Sequence, residues 1–231
     1  MVTRHQDILD ALAGKVPMSN RRLSAASLEV IPMAEWPTRL PNMMKYAPFH
    51  ITNMDPPNHT RLRKLMTRAF DKKVVESLRP YVRQRAEELV ATLRGRDSVD
   101  FPQEIARVLE IMRYTAMSAA QNRGVGEDFE WHGKQPKKGD VVYLMFAAGN
   151  RDPRVYEDAD KLDLTRNNDN SLTFGPGIHH CVGHLLAKMQ LVEFFTVLTQ
   201  RFDAAEILEE ELAFSPIVVF RSIPSMRMRF S

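Results

Sequence analysis

With 231 residues, 44% of them hydrophobic and 26% charged, the chain is long enough for a sizeable core and has an ordinary globular composition. Its formal net charge of +3 is mild, and because no nucleic-acid-binding signature is recognised, the sequence argues against a nucleic-acid partner. The single cysteine excludes an internal disulfide and favours a cytoplasmic setting, and neither a membrane span nor a signal peptide is recognised.

Hydrophobic spacing predicts the elements of the N-terminal half. A short helix is predicted over residues 5–13, and the proline-rich stretch 16–58 is interpreted as a loop. A helix then follows the Pro-Pro pair from His59 to about Phe70, and another covers about 74–94. The apolar stripes of these two helices are expected to comprise Leu62, Leu65, Met66, Ala69 and Phe70, then Val75, Leu78, Val82, Leu89 and Leu93.

The C-terminal half contains two further predicted helices, over about 104–114 and about 182–200. The other predicted segments are strand-like pieces at 128–133 and 139–148, a long polar loop at 149–168, and short strands within 204–231. Together the elements indicate a mainly α protein with small β-sheets.

The stretch "FGPGIHHCVG", residues 174–183, contains the only cysteine, Cys181, where a glycine-rich loop enters a helix. Glycines at positions 175, 177 and 183 permit tight turns and close approach of another group. The amide groups and the positive dipole end of the following helix favour an anion, and a thiolate is such an anion. A thiolate on a tight loop is a suitable soft ligand for iron or zinc.

The loop by itself leaves four interpretations open. Cys181 could be an ordinary structural cysteine, or it could bind zinc together with His180 and His184, although this is not a paired-ligand spacing. It could be a catalytic nucleophile next to a histidine, which requires a partner placed in space rather than in sequence. The fourth interpretation is ligation of heme iron by the thiolate.

The spacing of Phe174, Gly177, Cys181 and Gly183 resembles the heme-binding signature of the cytochrome P-450 superfamily. This resemblance implies the mainly α fold with small sheets, heme as the cofactor, and iron ligation by Cys181. It also implies that Phe174 packs near the ligand sulfur and that His179, two residues before the cysteine, pairs with a heme propionate.

A second part of the resemblance lies in "EIMR", where Glu110 and Arg113 are three residues apart on a predicted helix and can form an ion pair. In the family such a pair joins an arginine from the polar loop before the cysteine, and Arg166 matches that position. The resemblance implies that these three residues hold the cysteine loop rigid, which is a structural role.

Further propionate contacts are implied at three positions. Arg123 follows Arg113 at the family's spacing, and "DPPNHTRLRKLMTRAF" resembles the helix that contributes His59 and Arg63. Residues i and i+4 share one helix face, which suits a carboxylate. Of the neighbouring basic residues, Arg61 and Lys64 are expected to face an electron-donor protein.

The sequence departs from the family in its central region. We expect one heme-thiolate domain over 1–231 that is shortened internally near 100–107, because the distal helix with its Gly-x-Asp/Glu-Thr pattern is not recognised. The acid and the alcohol of that helix normally deliver protons during oxygen activation. The family's first helix and strand are also not recognised before Val2, and parts of the substrate pocket are expected within 30–54.

The resemblance implies a heme-thiolate monooxygenase of the soluble bacterial type. Such a protein oxidises a small apolar substrate with dioxygen and with electrons from a ferredoxin-type partner, without a membrane or nucleic acid. The alternative is a catalytically impaired or inactive heme-binding fragment, because the acid-Thr pair is missing.

Overall fold

A computed structural model of the chain describes residues 1–20, 50–91, 105–168, 170–208, 210–211, 221 and 227–231. The described part is mainly α-helical with two small antiparallel sheets, which confirms the predicted fold class. Within these ranges no helix combines the length and apolar character that crossing a membrane requires. Most of the predicted loop at 16–58 and of the predicted shortening near 100–107 lies outside the described residues.

The helices follow the predicted pattern closely, with one exception. They are α1 His5–Leu12, α2 Asn58–Ala69, α3 Lys72–Ser77, α4 Arg79–Ala91, α5 Ile105–Thr115, α6 Phe146–Gly149 and α7 His184–Thr199. Short 3₁₀ turns cover Ile51–Asn53 and Leu172–Phe174. The helices predicted at 5–13, 59–70, 104–114 and 182–200 are therefore present, and the polar stretch 149–168 is a succession of turns and bends.

The exception is the single helix predicted over 74–94, which is interrupted at Leu78. Pro80 explains the interruption, because it has no backbone N–H to continue the hydrogen bonds of α3 but is tolerated in the first turn of α4. Asp71 caps α3 by accepting a hydrogen bond from the Val74 N–H at 2.9 Å.

The predicted apolar stripe of these helices was also partly wrong. The buried residues are Val75, Ala86 and Val90, whereas 40% of Leu78 and 54% of Leu89 are exposed.

The sheets are small and antiparallel. In the first, β2 (Gln121–Val125) lies between β1 (Met18–Ser19) and β3 (Val141–Leu144). The second sheet pairs β4 (Ala205–Ile207) with β5 (Met228–Phe230), which confirms the prediction of short strands within 204–231.

Two strand predictions need correction. Strand β2 was missed because its sequence, QNRGV, has no alternating apolar pattern and contains residues that strands disfavour. The segment 128–133 is not a strand: it makes an isolated bridge, and His132 and Gly133 have positive φ values of 48° and 70°, which turn the chain. The strand predicted over 139–148 ends at Leu144 and continues as the helical turn α6.

Two hydrophobic clusters form the core. In one, Ala86 and Val90 of α4 pack against Val197 and Leu198 of α7 and against Phe202 and Phe230. In the other, Ile8 and Leu12 of α1 pack against Leu144, Phe146 and Leu172. Because Leu172 begins the 3₁₀ turn before Cys181, the second cluster supports the segment that carries the cysteine.

Helix α2 leaves part of its apolar stripe uncovered. Among the residues that were expected to be packed, 58% of Leu65 and 36% of Met66 are exposed. Within the described ranges, α2 makes its main contacts with the 3₁₀ turn Ile51–Asn53 and not with another long helix. The packing of α2 therefore differs from that of a helix with a fully buried apolar face.

Replacement of a core valine tests the α4–α7 contact. We expect Val90→Ala to lower the free energy of unfolding by roughly 1–3 kcal/mol, because Val90 is fully buried and the lost methyl groups leave a cavity. Urea denaturation followed by circular dichroism would measure this. The control Val74→Ala changes an exposed valine of α3 and should leave the urea midpoint nearly unchanged; equal losses would contradict the packing.

Candidate functional site

The cysteine loop, residues 174–183, connects the 3₁₀ turn Leu172–Phe174 to α7. The Cys181 N–H donates to the Phe174 carbonyl at 2.8 Å, and the His180 N–H donates to the Gly177 carbonyl at 3.0 Å. These bonds close the loop on itself and leave the Cys181 side chain exposed next to the first turn of α7.

Two glycines make this loop possible. Gly175 and Gly177 have φ values of 65° and 82°, which favour glycine over any other residue. A Cβ atom on Gly177 would also lie 2.6 Å from the Leu12 carbonyl oxygen. The loop therefore rests directly on the C-terminal end of α1.

The side chains around Cys181 are aromatic and basic. The rings of His180 and His184 have centroids 4.5 Å apart, and both lie near Phe174. The Lys188 Nζ atom lies 5.5 Å from the centroid of the Phe174 ring. His184 contacts the Cys181 carbonyl through Nδ1 at 3.0 Å, so the two histidines pack against the loop.

The zinc interpretation finds no geometric support here. Within the described residues no group of three or more His, Cys, Asp or Glu side chains is arranged to hold a metal, so His180, Cys181 and His184 do not form such a group.

Four basic side chains form a second feature, which we call the cationic cluster: His59, Arg63, Arg123 and His179. The rings of His59 and His179 have centroids 4.1 Å apart, and Arg63 is close enough to lower the pKa of both histidines. Arg123 lies on β2, is almost fully buried, and also lowers the pKa of His179. The four sequence-predicted propionate contacts are therefore brought together by α2, β2 and the cysteine loop.

Among the described residues, the basic groups of the cluster face a single opposing carboxylate, and burial lowers the pKa of three of them. Burial, together with His59 and Arg123, lowers the pKa of His179 to about 4, and burial lowers the pKa of Arg123 to about 10. Burial and then Arg63 also lower the pKa of His59. Asp55 is the carboxylate that opposes these effects, but it already accepts hydrogen bonds from the Ser19 hydroxyl and, at 3.2 Å, from the Asn20 N–H.

One polar atom in the cluster has no partner. His59 is buried, and its Nε2 makes no hydrogen bond to any described residue. Buried polar atoms are rarely left without a partner, so an unpaired atom among several N–H donors indicates a place for an acceptor group. A cleft of about 470 Å³ bordered by His59, Arg63 and Ile178 opens beside it.

Asn20 and Asp55 were not identified from the sequence. Asn20 contacts His179 through its side-chain amide, and Asp55 contacts the segment of Ser19 and Asn20. No motif marks either residue, because their proximity to the cluster results from the tertiary arrangement of β1 and the start of α2.

The three residues predicted to stabilise the loop also meet, and we call them the buried trio: Glu110, Arg113 and Arg166. Arg113 donates from Nε and Nη2 to both carboxylate oxygens of Glu110 at 2.6 and 2.7 Å, and both side chains are fully buried. The Arg166 Nε atom lies 3.4 Å from Glu110 Oε1. Burial acts to raise the pKa of Glu110, but hydrogen bonds from Arg113 and from the Asp163 N–H hold it below its ordinary value.

Arg113 also reaches the long polar loop. Its Nη1 donates to the carbonyls of Asn150 at 2.6 Å and Ala159 at 3.2 Å, and its guanidinium lies 4.9 Å from the centre of the Tyr156 ring. Arg166 donates from Nη1 to the Glu157 carbonyl at 2.7 Å. The trio therefore joins α5 to the loop at 149–168 through charge-assisted hydrogen bonds.

Removal of the central arginine tests this joint. We expect Arg113→Met to lower the free energy of unfolding by about 3–5 kcal/mol, because Glu110 would remain buried without its partner. Urea denaturation would measure it. The control Arg85→Met removes an arginine whose ion pair with Glu88 is exposed and should hardly change the midpoint. Similar midpoints for both variants would contradict a structural role for the trio.

Comparisons with known proteins identify the family of the chain and its relatives. A family model of cytochrome P450 matches residues 99–216. Cytochrome P450 CYP107DY1 of Priestia megaterium is 37% identical over 124 residues, which cover 53% of this chain and 30% of that protein. Linalool 8-monooxygenase of Pseudomonas putida is 39% identical over 105 residues, which cover 46% of this chain and 26% of that protein. These matches span less than a third of the length of either relative.

A solved structure extends the likeness to the whole fold. Cytochrome P450 CYP109Q5 from Chondromyces apiculatus superimposes with a TM-score of 0.82 at 21% identity, covering 100% of this chain and 89% of that chain. At this identity the likeness concerns the fold. The family model covers more than half of the chain, including the buried trio and the cysteine loop, and the chain belongs to the cytochrome P450 family.

Proposed function

We propose that this chain binds heme through the Cys181 thiolate and is a heme-thiolate monooxygenase-type protein. Proteins of its family bind heme, and the observation that carries the proposal for this chain is the unpaired Nε2 of buried His59 within the cationic cluster. Four basic side chains converge near Cys181, and burial lowers the pKa of two of them, His179 and Arg123. An anionic group would satisfy this arrangement.

The cationic cluster fits the propionates of heme. In the proposal the two carboxylates are held by the four side chains of the cluster: His59, Arg63, Arg123 and His179. The carboxylate oxygens would accept hydrogen bonds from those N–H groups of the cluster that have no acceptor among the described residues. Binding would also offset the cost of burying Arg123, which donates to two neutral acceptors, the Asn122 carbonyl and the Gln121 side-chain oxygen.

The cysteine loop suits the role of providing the protein ligand to heme iron. Cys181 is exposed where the loop enters α7, and a helix N-terminus stabilises a thiolate. The family's spacing in the sequence is kept by Phe174, Gly177 and Gly183. The ring of Phe174 lies near the rings of His180 and His184. Cys181 would supply the iron of a bound heme with an electron-rich thiolate ligand, which favours O–O cleavage. The buried trio would keep the loop in position and take no part in the reaction.

We propose a small apolar substrate and a ferredoxin-type electron donor, with a cytoplasmic setting that the single cysteine favours. One relative is named as a monooxygenase of linalool, which is in keeping with such a substrate. Exposed basic residues of α2, Arg61 and Lys64, would attract an acidic donor protein.

A second candidate is a heme-binding fragment with impaired catalysis. It is favoured by the exposure of Leu65 and Met66 on α2, the helix that also carries His59 and Arg63. It also agrees with the unrecognised acid-Thr pattern and with a single domain over 1–231 that is shortened near 100–107. Both candidates require heme ligation by Cys181 and differ in whether a substrate is oxidised.

The spectrum of the reduced, carbon-monoxide-bound protein tests the proposal. We expect a strongly red-shifted Soret band, which a thiolate ligand produces, and its loss in Cys181→Ala. His184→Ala is the control, because His184 also contacts the loop but supplies no ligand in the proposal. Failure of the soluble wild-type protein to take up heme would sink the proposal. Normal heme ligation without product from apolar compounds and a ferredoxin system would support the impaired fragment.

Two arginines of α2 provide a matched test of the cationic cluster. Arg63→Gln should raise the heme dissociation constant by about tenfold or more, because one charge-assisted hydrogen bond to a propionate is lost. Arg61→Gln makes the same change in net charge on the exposed side of the helix and should leave the constant nearly unchanged. Heme titration of the apoprotein followed by absorbance gives both values; equal effects would show that only overall charge matters.

A further inference from the structure

Asn150 contacts both the buried trio and the segment that precedes the cysteine loop. It is fully buried at the end of α6, and its N–H donates to the Phe146 carbonyl at 2.8 Å. Its carbonyl accepts a hydrogen bond from Arg113 Nη1 at 2.6 Å, and its side-chain Oδ1 accepts one from the Leu172 N–H at 2.8 Å. One residue therefore binds the trio with its backbone and the segment before the loop with its side chain.

The hydrogen bonds continue from Leu172 to the cysteine. The Leu172 carbonyl accepts from the Gly175 N–H at 2.9 Å, which shapes the turn that ends at Phe174. The Phe174 carbonyl then accepts from the Cys181 N–H at 2.8 Å. The position of Leu172 consequently determines where the acceptor for the Cys181 amide lies.

Close packing makes the position of Leu172 sensitive to Asn150. A Cβ atom on the preceding residue, Gly149, would lie 2.6 Å from Leu172 Cδ1 and 2.7 Å from Ile8 Cδ1. Leu172 is itself fully buried, so its N–H has no access to water as a replacement acceptor. Loss of the Asn150 oxygen would leave a buried donor unsatisfied, which favours displacement of the turn.

We propose that Asn150 is a positioning residue that transmits the rigidity of the Arg113–Glu110 pair to the Cys181 loop through the Leu172 N–H. The inference rests on the proposed function for the identity of what the loop ligates. The coupling itself is a property of the apoprotein and can be measured without heme.

The side chain of Asn150 allows a sharp comparison of variants. Its Nδ2 makes no hydrogen bond to any described residue, so the acceptor oxygen is the group that matters. Asn150→Asp keeps an oxygen for the Leu172 N–H in either protonation state. Asn150→Leu keeps the number and branching of the side-chain heavy atoms and removes the acceptor. Val90→Ala destabilises the separate α4–α7 core and serves as the control for a general loss of stability.

Amide hydrogen exchange of the apoprotein is the first measurement. In Asn150→Leu, the amides of Leu172 and Cys181 should exchange about tenfold faster or more, since a local bond that holds them is lost. In Asn150→Asp the exchange rates of these two amides should stay within about threefold of the wild type. In Val90→Ala the same two amides should exchange more slowly than in Asn150→Leu, when the two variants have equal thermal midpoints. If Asn150→Leu does not fold, Asn150→Ala, which is smaller and also removes the acceptor oxygen, replaces it.

The second measurement is the fraction of heme with the red-shifted Soret band in the reduced carbon-monoxide complex, compared at equal heme content. It should fall in Asn150→Leu and persist in Asn150→Asp and Val90→Ala. Equal behaviour of Asn150→Leu and Val90→Ala, or equal loss in Asn150→Asp and Asn150→Leu, would overturn the inference. A wild-type protein without the thiolate band would overturn the proposed function instead, and amide exchange would still decide the role of Asn150.

Discussion

The ion pair between Glu110 and Arg113 is the interaction that joins α5 to the long polar loop at 149–168. Both side chains are fully buried, so neither charge is solvated by water and each requires the other. The remaining donors of Arg113 are used by carbonyls of the polar loop, and Glu110 also accepts the Asp163 N–H. This loop has little regular structure. It is held in place because its backbone carbonyls accept hydrogen bonds from a buried guanidinium.

The cationic cluster follows the opposite principle. There, buried basic groups share one carboxylate that is already engaged by Ser19 and Asn20. Burial lowers the pKa of His179 and of Arg123, because removal from water disfavours the charged form of each group. The charges of the trio are paired within the chain, whereas the cluster keeps a buried nitrogen of His59 without a hydrogen-bond partner among the described residues. This contrast is what the proposed binding of an anionic ligand at the cluster rests on.

Local patterns in the sequence predicted a large part of this arrangement. Helical spacing located α1, α2, α5 and α7, because each has an apolar face or a clear N-terminal signal over several turns. The spacing of Phe174, Gly177 and Cys181 identified the loop by its resemblance to a family signature. The positive φ of Gly177 and the nearby Leu12 carbonyl explain why glycine stands at that position. The ion pair of Glu110 and Arg113 followed from their separation by three residues on one helix.

Other features were decided only when distant segments met. The residues of β2 carry no strand pattern, and they are a strand because β1 and β3 pair with both of their edges. Asn20, Asp55 and Asn150 have no motif, and each acquires its partner from a segment far along the chain. Leu65 was expected to be buried from its spacing alone, yet burial requires a neighbour that spacing cannot supply. The sequence thus specified residues whose constraints are local, such as glycine backbone angles and helix faces, while pairings that depend on long-range packing arose from the tertiary structure.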